Sequence, residues 1–223
     1  MKKTFFILIS ILLIAVSSSA QFIEEDYNQE VSLKKKYVLK VDPTLWFFGP
    51  IPGTGDYRLS LELATSLKSS FQIGASYVTK SIFTLIVEGV TPDSAKGPDY
   101  SVNGFRFQLA YKFYPFGKYQ AAPAGVFVGP HISYTYAGYH ISQTSNKYSD
   151  YSVVYANAAL IWGYQAILGD KVAIEIFSGV GYRSNWMRDE YTGKTEKLNY
   201  NPQVTPFPGD FKIYLGVNIG AAF

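Results

Sequence analysis

The last thirteen residues of the chain, Phe211 to Phe223, alternate strictly between two kinds of side chain. Every second residue from Phe211 onward is apolar, and the residues between them include Lys212 and Asn218. Alternation with period two is typical of a β-strand with two unlike faces. A soluble sandwich rarely ends this way. The pattern favours a transmembrane β-barrel, because lipid requires a continuous apolar outer face and a sheet without free edges.

The start of the chain has the features of a secretory signal peptide. A basic start, Met1-Lys2-Lys3, precedes an apolar run from Phe5 to Val16 and the small residues Ser17 to Ala20. The apolar run is shorter than the about 20 residues that a membrane-spanning helix needs, so we expect cleavage after Ala20. The sequence therefore predicts a signal peptide at 1–20, a polar periplasmic lead-in at 21–36 and a barrel at 37–223.

Seven further segments repeat the alternation and are separated by stretches rich in Gly, Pro, Asp or Ser. Each can cross a membrane as a tilted strand, which takes about 9–11 residues. Pro43 predicts a bulge in the first strand, and Arg183 to Pro208 is predicted to be the longest loop. The eight predicted strands are Tyr37–Phe48, Tyr57–Leu67, Phe71–Glu88, Ser101–Tyr114, Val126–Tyr139, Tyr151–Leu168, Lys171–Tyr182 and Phe211–Phe223.

These strands predict the fold class. It is all-β, an eight-stranded antiparallel up-and-down transmembrane β-barrel preceded by a cleavable signal peptide. An even number of strands places both termini on the same side of the membrane, which is the periplasmic side for an outer-membrane barrel. The connections after the second and sixth strands are short, as periplasmic turns are, and the connection from Pro115 to Gly125 is an unusual turn at the same end.

The polar faces of the strands carry charges that must lie either inside the barrel or in lipid. An eight-stranded barrel has an interior just wide enough for side chains, and Lys or Arg near the membrane midplane costs about 2–4 kcal/mol. We therefore expect the polar face inside, the reverse of a secreted lipocalin. Glu62 and Arg106 are expected to share one network. The predicted lumen network comprises Lys40, Asp42, Arg58, Glu62, Arg106, Gln108, Lys112, Glu175 and Lys212.

Composition excludes several classes of function. The chain has no Cys, so neither a disulfide framework nor a lipid-anchored N-terminus is available. Without Lys2 and Lys3, the 20 Lys and Arg become 18 against 17 Asp and Glu, which leaves no concentrated basic surface for nucleic acid. With two His and no Cys, we expect no transition-metal site, and we find no motif for a cofactor.

Three segments, together with a signal peptide that ends in Ala-Gln, resemble a known family. They are Leu59–Leu63, Phe105–Pro115 and Gly163–Gln165. The sequence resembles the small outer-membrane β-barrels of unknown function that are common in Bacteroidota and, more broadly, barrels of the OmpA and OmpX type. The resemblance implies a barrel architecture and a location in the cell outer membrane. It implies no settled activity.

His131 and Ser133 form a His-x-Ser pair on the fifth predicted strand. The pair resembles that of the lipid A deacylases, which are also eight-stranded barrels, and Glu175 is the candidate acid partner. In that family the pair continues with Asn-Ala, whereas here it continues with Tyr134 and Thr135. The sixth strand offers no acid to orient the histidine, and the alternation points His131 into the barrel. We therefore predict no catalytic residues.

The sequence predicts a non-enzymatic outer-membrane barrel with a polar, plugged lumen and extracellular loops for surface interaction or adhesion. One alternative is a narrow channel for small solutes, and a second is an enzyme like the lipid A deacylases. The expected partners are outer-membrane lipids, the barrel-assembly machinery through the C-terminal strand, and an extracellular ligand through the loops. Neither nucleic acid nor a cofactor is expected.

These features predict where the protein is found and how it migrates on gels. We expect the mature chain in the outer-membrane fraction, running as a heat-modifiable band because a closed barrel resists detergent until it is boiled. Fractionation and electrophoresis of heated and unheated samples test this. An intact barrel found soluble in the periplasm would favour the lipocalin-like alternative instead.

Overall fold

The structure is a computed structural model that describes residues 35–49, 51, 53–92, 99–117, 121–143, 147–197 and 210–223. The predicted signal peptide and the predicted lead-in up to residue 34 lie outside these residues. The helices are α1 (Thr44–Phe47) and α2 (Ile82–Val90). The strands are β1 (Tyr37–Val41), β2 (Thr54–Ser66), β3 (Ser69–Lys80), β4 (Tyr100–Phe113), β5 (Gly125–Gln143), β6 (Lys147–Leu168), β7 (Val172–Asp189), β8 (Thr195–Lys197) and β9 (Phe211–Ala222).

Eight of the strands form a closed antiparallel ring. Strands β1 to β7 pair in sequence order, and β9 pairs with both β7 and β1. The short strand β8 pairs with the end of β7 outside this ring. The predicted eight-stranded antiparallel barrel is therefore confirmed. Within the part of the chain that the structure describes, no helix is long and apolar enough to cross a bilayer.

The two faces of each strand differ as their alternation predicts. Along β2, Arg58, Ser60 and Glu62 are buried inside the ring, whereas Leu59 and Leu61 are exposed on its outer face. The same pattern continues around the barrel. The outward side chains include Phe71, Ile73, Phe105, Phe107, Leu160, Ile176, Ile213 and Ile219.

The prediction for the first strand was wrong in its extent. Strand β1 ends at Val41 and not at Phe48, and α1 follows it. The side chain of Asp42 accepts a hydrogen bond from the backbone N–H of Thr44 at 3.2 Å, and Pro43 has no N–H to donate to a ladder. The chain therefore turns into a helix where the alternation alone predicted a bulged strand.

Strand β1 covers only part of its neighbours. It pairs with β9 from Val38–Ala222 to Val41–Ile219, although β9 pairs with β7 along its whole length. Helix α1 stands where the rest of β1 would lie and packs on β2, with the Trp46 and Tyr57 rings 6.1 Å apart. We call the interval between α1 and Phe211–Asn218 of β9 the wall gap, because no strand pairing crosses it among the described residues.

Other boundaries also differ from the prediction, since β2 begins at Thr54, β5 extends to Gln143 and β6 begins at Lys147. The third strand ends at Lys80 and not near Glu88, because the Ser81 hydroxyl accepts the N–H of Thr84 at 3.0 Å and caps α2. Strand β7 continues through Arg183 to Asp189, and β8 folds back on it, where a loop was predicted. At the end of the barrel that holds the β2–β3 turn, the unusual connection after β4 folds back against that turn. The N–H of Tyr114 donates to the carbonyl oxygen of Lys68, and the N–H of Ala122 donates to that of Leu67.

Two glycines, one in the barrel wall and one in α2, provide a matched test of how closely the strands pack. A Cβ at Gly129 would lie 1.8 Å from the carbonyl oxygen of Tyr111, whereas a Cβ at Gly89 in α2 would meet nothing within 4 Å. We expect Gly129→Ala to destabilise the barrel by about 1–3 kcal/mol, the usual cost of overpacking. Gly89→Ala should be neutral or stabilising, because Ala favours a helix. Urea unfolding of both variants in detergent tests this, and equal midpoints would contradict it.

Candidate functional site

The predicted lumen residues all lie on the inner face of the barrel. Eight of the nine are buried, and Lys212 is partly buried. Their strands place them at different heights, and they separate into two groups. The lower group lies at the end of the barrel that holds Tyr37 and Phe223, and the upper group lies at the level of α1.

The lower cluster consists of Lys40, Glu62, Lys112 and Glu175. These side chains come from β1, β2, β4 and β7 and meet at the centre of the ring. The Lys40 ammonium contacts both carboxylates, and Lys112 Nζ lies 2.6 Å from Glu175 Oε2 and 3.2 Å from Glu62 Oε2. Two cations and two anions therefore neutralise each other where water is largely excluded, which such buried charges require.

Neutral side chains complete the hydrogen bonds of the lower cluster. The Tyr114 hydroxyl donates to Glu62 Oε1 at 2.7 Å, and Asn218 Nδ2 donates to Glu175 Oε1 at 3.0 Å. Gln165 Oε1 accepts from Lys40 Nζ at 2.6 Å. Below them, the Phe127 ring lies 5.8 Å from the Tyr114 ring. The connection after β4 thus supplies Tyr114 to the lower cluster.

The upper cluster is built around Asp56. Arg58 Nη2 lies 2.6 Å from Asp56 Oδ2, and Arg106 Nη1 lies 3.2 Å from the same oxygen. Arg58 Nη1 also lies 3.8 Å from Asp42 Oδ2. The expectation that Glu62 and Arg106 share one network was wrong. Among the described residues no ion pair joins them, since Glu62 pairs with the lysines below and Arg106 pairs with Asp56.

Two residues of the upper cluster were missed by the sequence analysis. Asp56 and Arg183 were assigned to loops, but β2 begins before Asp56 and β7 continues past Arg183. Arg183 Nε donates to Asn157 Oδ1 at 3.1 Å, and its guanidinium lies 5.2 Å from the Tyr155 ring centroid. Inward residues recur at every second position of a strand. Continuing the alternation backwards from Arg58 leads to Asp56, and continuing it forwards from Glu175 leads to Arg183, so both residues could have been found.

The upper cluster carries more positive than negative charge. Its four cations are Arg58, Arg106, Arg183 and Lys212, and its two anions are Asp42 and Asp56. Lys212 makes no ion pair among the described residues, and its ammonium lies 4.2 Å from the Tyr214 ring centroid. The barrel interior is therefore neutral in its lower part and positive in its upper part.

His131 and Ser133 both point into the barrel, and they do not form a nucleophile–base pair. His131 Nε2 lies 3.4 Å from Gln108 Oε1. Ser133 Oγ accepts from Arg106 Nη2 and from Asn157 Nδ2, each at 3.1 Å. No hydrogen bond joins His131 to Ser133 in the described ranges, and Glu175 is bound to the lysines of the lower cluster. The described residues also contain no group of three or more potential metal ligands.

Comparison with known proteins finds similarity at the level of structure. The crystal structure of a major outer membrane protein from Thermus thermophilus is similar to this chain with a TM-score of 0.41 and 13% sequence identity. The match covers 85% of this chain and 100% of that one. No protein-family model matches the sequence, and no curated protein is significantly similar to it.

The lower cluster predicts that removing one of its carboxylates strongly destabilises the barrel. We expect Glu62→Leu to cost about 3–5 kcal/mol of unfolding free energy, because Lys40 and Lys112 would lose a buried counter-charge. Adding Lys112→Met should restore part of that loss by removing one of the two cations. Urea unfolding in detergent measures both effects. The control is Glu196→Leu, which breaks an exposed pair with Lys194, and an unchanged stability for Glu62→Leu would refute the assignment.

Proposed function

We propose that the chain is a non-enzymatic outer-membrane β-barrel protein whose lumen is closed to steady ion flow and whose extracellular loops contact other surfaces. The lower cluster carries this proposal. Four side chains from four separate strands reach the centre of the ring and pair with one another, and Tyr114 and Phe127 pack below them. An ion that crossed the barrel would have to separate these pairs.

The outer surface supports a position in a membrane. The outward side chains of the strands are almost all aliphatic or aromatic over the central part of the barrel. A patch of this size and continuity on a water-soluble barrel would be an aggregation surface. The outward side of α2 adds Phe83, Leu85, Ile86 and Val90 to this surface. Lipid acyl chains are therefore the partners that the outer face fits best.

The two ends of the barrel support an orientation with both termini in the periplasm. At the end that holds Tyr37 and Phe223, β2–β3 and β6–β7 are joined by only two or three residues. At the opposite end, β5 and β6 extend to 19 and 22 residues, well beyond the about 9–11 that a spanning strand needs. Long hairpins on one side and short turns on the other are typical of outer-membrane barrels. The C-terminal strand β9 would then engage the barrel-assembly machinery.

The long hairpins are the part of the chain best suited to contact an extracellular ligand. The β7–β8 hairpin presents Tyr191, which is 96% exposed, together with the ion pair of Lys194 and Glu196.

Non-enzymatic action is supported by the surroundings of Ser133, whose hydroxyl is bonded to Arg106 and Asn157 and has no base beside it among the described residues. Loss of an acyl chain from lipid A that depended on Ser133 would overturn this part of the proposal.

The closed lumen predicts the electrical behaviour of the protein. In planar lipid bilayers we expect no steady conductance from the wild-type barrel. The double variant Lys112→Ala/Glu175→Ala keeps the net charge but removes half of the lower cluster, so it should conduct measurably. Lys194→Ala/Glu196→Ala, with the same charge change in an exposed hairpin, should behave as wild type. Steady conductance by the wild-type protein would instead establish the narrow-channel alternative.

A further inference from the structure

The barrel interior contains a cavity of about 230 Å³ that reaches from Lys112 and Glu175 of the lower cluster, past the upper cluster, to the wall gap. Inside the barrel its lining includes Arg58, Arg106 and Lys212. Toward the wall it is bordered by Leu45 and Phe48 on one side and by Ile213 and Leu215 of β9 on the other. Leu215 belongs to the outer face of the barrel and is 74% exposed. The cavity therefore has a charged interior and an apolar mouth that opens sideways.

The mouth exists because β1 is short. From Ile219 to Ala222, β9 is joined to β1 by a regular ladder. Above Ile219 the neighbour of β9 is α1, and the backbone hydrogen bonds of α1 lie within its own segment, as in the bond from Phe48 N–H to Thr44. Helix α1 is held to β2 by the ring contact of Trp46 with Tyr57. The α1 side of the gap can thus separate from β9 without breaking a strand pairing.

Positive charges outnumber the carboxylates that line the cavity, which are those of Asp42 and Glu175. Asp56 is shared between two arginines, while Lys212 and Arg183 have no carboxylate partner among the described residues. Arg58 is 7% exposed and Arg106 is 3% exposed, yet the Nε of each has no hydrogen-bond partner in the described structure. Buried N–H donors without acceptors are costly and are seldom left unsatisfied. The cavity thus offers both surplus charge and free donors to an anion.

We propose that this cavity binds the carboxylate of a single-chain amphiphile, a long-chain fatty acid, whose alkyl chain leaves through the wall gap. The carboxylate would accept hydrogen bonds from Arg58 and Arg106 and pair with Lys212. The alkyl chain would lie against Leu45 and Leu215 and continue over the apolar outer face. This inference goes beyond the proposed function and does not depend on whether the lumen conducts ions.

The apolar mouth favours a carboxylate over a phosphate. A headgroup that enters between Leu45 and Ile213 must leave water before it reaches the cations, and a charged group is costly to move through apolar surroundings. A carboxylic acid, with a pKa of about 4, can be protonated and cross as a neutral group. A phosphate monoester carries a charge of about −1.5 to −2 at neutral pH and is much harder to neutralise. Once inside, the acid can release its proton because the cations stabilise the carboxylate.

Native mass spectrometry of the barrel, refolded in a nonionic detergent, tests the proposal. Titration with dodecanoate should show one bound molecule per barrel. Butyrate has the same headgroup without the long chain and should bind at least tenfold more weakly. Dodecyltrimethylammonium, with the opposite charge on the same chain, should show no saturable binding. Dodecyl phosphate must cross the same apolar mouth without being neutralised, so it should load more slowly than dodecanoate, and equal or faster loading would overturn the choice of a carboxylate.

Two pairs of variants locate the bound molecule. Lys212→Gln should weaken dodecanoate binding by about tenfold, the effect of losing one charge-assisted contact, while Lys171→Gln, at the exposed lower turn, should not change it. Leu215→Ser should weaken the binding of dodecanoate but not of butyrate. Its control is Leu59→Ser, another outward leucine that is not part of the cavity lining.

The folding of each variant is checked by its heat-modifiable migration on gels. None of these substitutions removes a carboxylate from the barrel interior, so no buried cation loses its counter-charge. Dodecanoate binding that is unchanged in both Lys212→Gln and Leu215→Ser would refute the site. Equal binding of the cationic amphiphile would refute it as well. Neither result would bear on the closed lumen, which is tested by conductance.

Discussion

The pairing of two lysines with two glutamates at the centre of the barrel is the interaction on which the rest of the interior depends. A buried ammonium or carboxylate is strongly destabilising alone and is tolerated when its charge and hydrogen bonds are matched. Lys40 and Lys112 each contact both Glu62 and Glu175, so every member has two partners of opposite sign. Because the four residues come from four strands, these contacts also fix how the strands are positioned across the ring.

The polarity of the strands could be predicted from the sequence because it is a local property. In β2 and β4, inward charged residues alternate with outward leucine and phenylalanine, and a period of two needs no knowledge of the neighbouring strand. The ends of the elements were harder to predict. The backbone leaves the sheet at Asp42 and Ser81 because their side chains accept N–H groups of the following turn, a competition that apolar alternation does not register.

The choice of partners inside the barrel could not be predicted, since it depends on the stagger between strands. Glu62 and Arg106 are inward residues of β2 and β4. They lie at different heights in the barrel, so Glu62 pairs with Lys112 and Arg106 pairs with Asp56. Strand stagger in a closed ring is set by the geometry of all its strands together. The surplus of positive charge was already present in the predicted residues. Its concentration in the upper half became visible only once the heights of these residues in the barrel were known.

The brevity of β1 also determines how the ring is closed. The first and last strands of the ring are far apart in sequence, so bringing them together carries a large entropic cost of loop closure. Only four residue pairs join them, from Val38–Ala222 to Val41–Ile219. The seam is extended by the reciprocal backbone bonds of Tyr37 and Phe223, whose rings stack 5.9 Å apart. Among the described strand pairings of the ring, the join between β1 and β9 has the fewest residue pairs, so unzipping it from its upper end breaks few hydrogen bonds.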